Sequence, residues 1–106
     1  MTTRTAKVNA LLEATIAEAI RRDYGDPTNL VTVTKVEVAP DLRTANVWIA
    51  TYRDGTWEDI MALRPLLQRA VAAAMTSKNT PRLTLRQDLS GEYAARIHEA
   101  LRGRDS

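Results

Sequence analysis

The sequence contains no cysteine. That excludes a disulfide framework and any metal or redox chemistry that needs a thiolate. Histidine occurs once, at His98, between Arg96-Ile97 and Glu99, so a histidine-centred triad or metal site has nothing to assemble from. A glycine-rich phosphate loop, a nucleophile elbow and a cluster with metal-ligand spacing are also missing. The neighbouring carboxylates Glu58 and Asp59 read as charges at a helix N-terminus, not as a tuned acid–base pair. No apolar run approaches the roughly 20 residues needed to cross a bilayer. The polar stretch Met1 to Lys7 leads straight into an amphipathic segment, without the pattern of a secretory signal. These absences point away from an enzyme, a cofactor, a metal site, a small-molecule substrate and a membrane, and they make the cytoplasm the expected location.

What is present suits one domain. A chain of 106 residues, 44% apolar and 26% charged, can bury a single modest core and has ordinary globular composition. The net charge is only +2, but its distribution is uneven. Between Ile60 and Gln87 the cations Arg64, Arg69, Lys78, Arg82 and Arg86 occur with no carboxylate. The N-terminal segment adds Arg4, Lys7, Arg21 and Arg22 against Glu13 and Glu18, while acids collect at Asp23, Asp26, Asp54, Glu58 and Asp59. These cations read either as solvated helix and strand faces or as a one-sided basic surface for a polyanion.

Periodicity gives the element order. Val8, Leu11, Leu12, Thr15, Ile16, Ala19 and Ile20 form one helical stripe, with Thr5 as its N-cap and Gly25 as its stop before the Asp26-Pro27 turn. Leu30 to Val38 is a strand whose apolar alternation slips between Val33 and Val36, which calls for a bulge near Thr34-Lys35 or for Lys35 at a sheet edge. Ala39-Pro40-Asp41-Leu42 is turn chemistry with Pro40 at the second position, and Arg43 beside Asp41 steadies the turn. Thr44 to Arg53 alternates as the second strand of an antiparallel hairpin. Ala45, Val47, Ile49 and Thr51 share one face; Asn46, Trp48, Ala50 and Tyr52 share the other.

Asp54-Gly55 closes that strand, and Thr56 caps a helix carrying Glu58 and Asp59 in its first turn. Trp57 is placed for a hydrophobic staple. Pro65 falls within the following apolar run. Inside a helix it costs about 3 kcal/mol, whereas at the start of a new one it costs little, so two short helices meet at an angle near Arg64-Pro65. Lys78 to Pro81 is a loop, and Arg82 to Gln87 is a third strand with Leu83 and Leu85 inward. Ser90 caps a last helix bearing Ala94, Ile97 and Leu101. Residues 1–102 form the domain and 103–106 a short loose tail. The fold class is α+β: helix, strand, strand, kinked helix, strand, helix, with a three-stranded sheet and the helices mainly on one face. Trp48, Tyr52, Arg82 and Arg86 then show on the opposite face, where Trp48 either packs beneath the last helix or offers a stacking surface.

The run Leu30-Val-Thr-Val-Thr-Lys-Val-Glu-Val-Ala-Pro-Asp-Leu-Arg-Thr-Ala-Asn-Val-Trp-Ile-Ala50 resembles the signature hairpin of the ribosome-binding factor A family, V-T-x-V-x-V-S-P-D-L-x-x-A-x-V-Y-V-S. Arg4-x-x-Lys7-Val8 and Asp26-Pro27 extend the likeness upstream. Pro81-x-Leu83 and Asp88-x-Ser90-x-Glu92-x-x-Ala95-Arg96-Ile97 extend it downstream. The resemblance implies a KH-like domain of type II, in which an Ala-x-Gly kink between two helices replaces the Gly-x-x-Gly loop. It also implies a non-catalytic, monomeric assembly factor whose partner is the small ribosomal subunit and its RNA. Such a factor binds near helix 1, the central pseudoknot and the neck, acts late, and assists maturation of the 5′ end of that RNA.

On this chain the kink positions fall on Leu63-Arg64-Pro65, and proline supplies no N–H for a phosphate. Arg64, Arg69 and Lys78 are therefore expected to carry phosphate contacts near the kink. The full set of expected RNA-binding residues is Arg4, Lys7, Arg22, Arg43, Arg64, Arg69, Lys78, Arg82 and Arg86. Two other readings stay open: a KH-like module for another structured RNA, and a non-enzymatic protein-interaction domain that uses its sheet edge.

Overall fold

The computed structural model describes residues 4–24, 31–52, 55–76 and 79–89. Helix α1 (Arg4–Asp23) forms because its apolar residues recur on one side. Leu12, Ile16, Ala19 and Ile20 are buried there, and Val8 packs against them from the first half of the helix. Leu11 was expected in this stripe but is 40% exposed, because it lies about 100° around the helix from the Leu12–Ile16–Ile20 line. Thr5 lies inside the helix, so it is not the N-cap expected of it. The far end is tied down by Tyr24, whose N–H donates to the Ile20 carbonyl at 2.8 Å and whose hydroxyl donates to Asp59 Oδ2 at 2.6 Å. Gly25 and the Asp26-Pro27 turn lie outside the described residues, as does the last helix expected from Ser90 to Leu101.

Strands β1 (Val31–Val38) and β2 (Thr44–Thr51) pair antiparallel, with a register shift between Val33 and Lys35. This is the bulge that the broken alternation calls for. It absorbs Thr34, so Val33, Val36 and Val38 all stand opposite the inward residues Ile49, Val47 and Ala45. Pro40 occupies the second position of the connecting turn, which the Leu42 N–H closes onto the Ala39 carbonyl at 2.8 Å. Asp41 steadies it by accepting the Arg43 backbone N–H on Oδ1 at 3.0 Å. Leu42 takes φ 61°, a left-handed conformation that L-residues with a Cβ rarely adopt, while packing against the core. β2 ends at Thr51, shorter than the expected strand to Arg53.

Helix α2 (Thr56–Ala62) starts from Gly55, not from a Thr56 cap. Gly55 has φ 83° and stands at the N-cap, and Thr56 is the first helical residue, buried at 3% exposure. A positive φ turns the chain out of β2 at low cost only for glycine, and it carries the threonine hydroxyl past the capping position. Glu58 and Asp59 do sit in the first turn, and Trp57 packs against the core. At Leu63 the helix breaks and α3 (Arg64–Ala74) begins, with Pro65 in its first turn. The N–H groups of a first turn have no intrahelical partner, so a proline there removes nothing.

β3 (Arg82–Gln87) joins β2 in parallel, giving the order β1-β2-β3. The α2–α3 pair is thus the crossover between two parallel neighbours. α1 and α3 pack on each other and on the face carrying Val36, Val47 and Leu83. Ile60, Leu67 and Val71 complete this core, each fully buried. The described part of the opposite face carries Lys35, Glu37, Asn46, Trp48, Thr84, Arg82 and Arg86, exposed or half-exposed, with Ala50 its buried member.

Candidate nucleic-acid interface

The topology gathers cations that are far apart in sequence. The Val38 N–H donates to Asn9 Oδ1 at 2.8 Å, which sets the first turns of α1, with exposed Arg4 and Lys7, beside the end of β1. That end adjoins the turn bearing Arg43, and the Arg43 carbonyl accepts the Arg82 N–H at 2.9 Å. Arg4, Lys7, Arg43 and Arg82 therefore share one end of the sheet, all exposed. Asp41 is the acid of that turn, and its Oδ1 is engaged by backbone.

The remaining candidates lie elsewhere. Arg22, at the opposite end of α1, sits among acids: its Nη2 is 3.3 Å from Asp23 Oδ2, and the adjacent Arg21 binds Glu18, one turn back, at 2.6 Å. The Arg21 hydrogen bond, reinforced by its charge, holds the Glu18 carboxyl below its ordinary value, and the same bond raises Arg21. Arg69 is exposed on α3. Arg86 stands on the outer sheet face with Nε 2.9 Å from Asn46 Oδ1. Lys78 lies outside the described residues.

Arg64 has a structural duty that the sequence does not reveal. Its Nε donates to the Leu83 carbonyl at 2.9 Å. Gln68, one turn on, donates from Nε2 to the Pro81 carbonyl at 2.8 Å and accepts the Leu83 N–H at 3.0 Å. Arg82 and Asp88 direct their N–H groups to β2, so Leu83, between them, points its backbone at the open edge of the sheet. Arg64 and Gln68 thus close the first part of that edge, which would otherwise invite strand pairing. The Arg64 Nη groups are what remains of this residue for a phosphate. At the break itself the Leu63 N–H bonds the carbonyls of Asp59 and Ile60 at 3.2 and 3.0 Å, and its own carbonyl accepts from Leu67. The Leu63 backbone at the break is thus consumed internally.

Two residues escape a reading of the sequence. Gln68 looks like any solvated helix polar. Lys35 sits over the Trp48 ring, 5.2 Å from its centroid, and becomes its neighbour only through the bulge. The groove between α1 and α3 is lined by Ala14, Thr15, Ala19, Ala70 and Ala73 with Glu18 and Arg22. Among the described residues no cluster of His, Asp or Glu could hold a metal ion, and no helix is long and apolar enough to cross a membrane.

A family model described as ribosome-binding factor A matches residues 4–101. The chain belongs to the ribosome-binding factor A family. Among its relatives, the ribosome-binding factor A of Akkermansia muciniphila is 40% identical over 96 residues, covering 87% of this chain and 77% of the relative. That of Clostridium kluyveri is 30% identical over 105 residues, covering 92% and 87%. The crystal structure of the family member from Thermus thermophilus superposes with a TM-score of 0.66 at 24% identity, covering 78% of this chain and 93% of that one, and shows the same fold. A homology model of the Thermus thermophilus protein, fitted into a cryo-electron-microscopy map of a 30S complex with it, has a TM-score of 0.63 at 25% identity, covering 76% and 90%. In this member of the family the inter-helix bend is formed by Leu63, Arg64 and Pro65.

Proposed function

We propose that this chain docks on the free small ribosomal subunit through its ribosomal RNA. It acts late in assembly as a cytoplasmic, non-catalytic factor and assists processing of the 5′ end of that RNA. The observation that carries this reading is the exposed group Arg4, Lys7, Arg43 and Arg82 at one end of the sheet, on a chain whose Thermus thermophilus relative was fitted into a map of a 30S complex. Arg69, Arg86, Lys78 and the Nη groups of Arg64 supply further contacts, and Arg22, already paired with Asp23, supplies the weakest. Phosphates displace condensed counterions when cations bind them, so such a surface binds more weakly as salt rises. A domain of this kind works by preferring one arrangement of the RNA. It shifts the population toward that arrangement by no more than its differential affinity.

Sucrose-gradient sedimentation at low salt tests this: the protein is expected to travel with free small subunits and to leave them as salt is raised. Absence from the small-subunit fractions at low salt would sink the reading.

A further inference from the structure

The outer face of the sheet carries an arrangement that phosphate docking alone does not use. Lys35, Trp48 and Arg86 stand opposite one another across the three strands and form one transverse row: cation, indole, cation. Trp57 packs against the core, whereas the register of Trp48 turns it to the other side of the sheet, where it is half-exposed. The Lys35 ammonium lies over the indole and also 3.4 Å from Glu37 Oε2, with its side chain 60% exposed. Arg86 is oriented through Nε by Asn46, which leaves its Nη groups directed by a fixed neighbour. Along β3, Arg82 and Thr84 continue the same side as Arg86. Same-face residues on a strand repeat about every 6.6 Å, so Arg82 and Arg86, with Thr84 between them, stand two repeats apart and reach alternate phosphates of an extended nucleotide chain. The acids of this region are already engaged. Glu37 pairs with Lys35, and Asp88 Oδ2 accepts the Thr34 hydroxyl at 2.6 Å.

We propose that this row is a subsite for a single-stranded segment of RNA, in which a base stacks on Trp48, its phosphate lies on Arg86, and a phosphate further along the strand lies on Arg82. The inference rests on the RNA-docking reading above and extends it to an unpaired nucleotide. Arg82 belongs both to the basic end of the sheet and to this face, so a strand leaving the first surface meets the second without a gap. A planar indole between cations favours a stacked base with its phosphates over a purely acidic peptide, which has no ring to place there.

The test uses the full chain with Trp57→Phe, so that Trp48 is the one indole whose emission is followed. A mixed-sequence single-stranded oligoribonucleotide is expected to quench that emission saturably at low salt. Trp48→Leu should weaken its retention on filters by roughly five- to a hundredfold. Arg82→Ala with Arg86→Ala, in the otherwise wild-type chain, should lower the slope of log affinity against log salt by about 0.7 per lost contact. Full retention of the oligonucleotide with unchanged Trp48 emission overturns the subsite, as does equal quenching by a polyglutamate peptide. No retention of the oligonucleotide also overturns it. Co-sedimentation with small subunits then separates failure of this subsite from failure of the wider docking reading.

Discussion

Leu42 is the residue at which local chemistry and backbone geometry disagree. Its φ of 61° costs about 1–2 kcal/mol for a residue with a Cβ, yet its side chain is held against the core. Alanine at an ordinary position is more stable than glycine by about 0.5–1 kcal/mol. Here the order should reverse. Leu42→Ala loses the packing and keeps the strain, whereas Leu42→Gly loses the packing and sheds the strain. Urea denaturation of both variants measures the difference, and a glycine variant clearly less stable than the alanine one would contradict the left-handed turn. Gly55 poses the simpler case. Nothing lies within 4 Å of where a Cβ would stand, so the loss in Gly55→Ala, about 1 kcal/mol, comes from backbone strain alone. The sequence marks Gly55 as the end of a strand and Leu42 as part of a turn, but not their roles, because a left-handed leucine leaves no mark in a sequence and Thr56 offers a more ordinary cap.

The helices and strands were legible wherever periodicity alone decides. The α1 stripe, the bulge before Lys35, the Pro40 turn and the break before Pro65 all follow from spacing. Side chains that serve a neighbouring element were not legible. Gln68 is spaced like a solvent-facing residue, yet it satisfies both Leu83 N–H and Pro81 C=O on the open edge of β3. Stranding these partly buried groups should cost about 1–3 kcal/mol in Gln68→Ala, read from the denaturation midpoint. Gln68→Glu keeps the acceptor for Leu83 and removes the donor to Pro81, so its loss should fall between alanine and wild type. The Glu18–Arg21 pair makes a smaller claim on α1. Because Glu18 is held below its ordinary value by Arg21, its stabilising contribution is present above the unfolded carboxylate range and fades as pH falls through the folded value. The pair is fully exposed, so the effect is screened by salt. Glu18→Gln should remove a small acid-side drop in melting temperature seen only at low ionic strength.

At the scale of the molecule, the nine cations read from the sequence become unequal. Arg4, Lys7, Arg43 and Arg82 come from three distant stretches of the chain, and the Asn9–Val38 and Arg82–Arg43 hydrogen bonds, with the pairing of β2 and β3, bring them to one end. Arg22 keeps company with Asp23, and Arg64 is spent in part on Leu83. Arg43→Ala with Arg82→Ala should therefore lower the salt slope of subunit binding by up to about one unit per contact. Arg21→Ala with Arg22→Ala should change it far less, since those guanidiniums already have carboxylate partners. Equal effects of the two pairs, in gradient sedimentation across a salt series, would show that the docking end is misplaced.

The parallel seat of β3 also sets the order in which the chain can be completed during synthesis. The hairpin closes as soon as residue 51 has emerged, but one side of β2 stays bare until β3 is made, after the two short helices. For that interval a nascent chain carries the backbone hydrogen-bonding groups of Thr44–Thr51 as an open invitation to another copy. A fragment stopping at residue 76 should self-associate, as light scattering would register, and extension to residue 89 should end it.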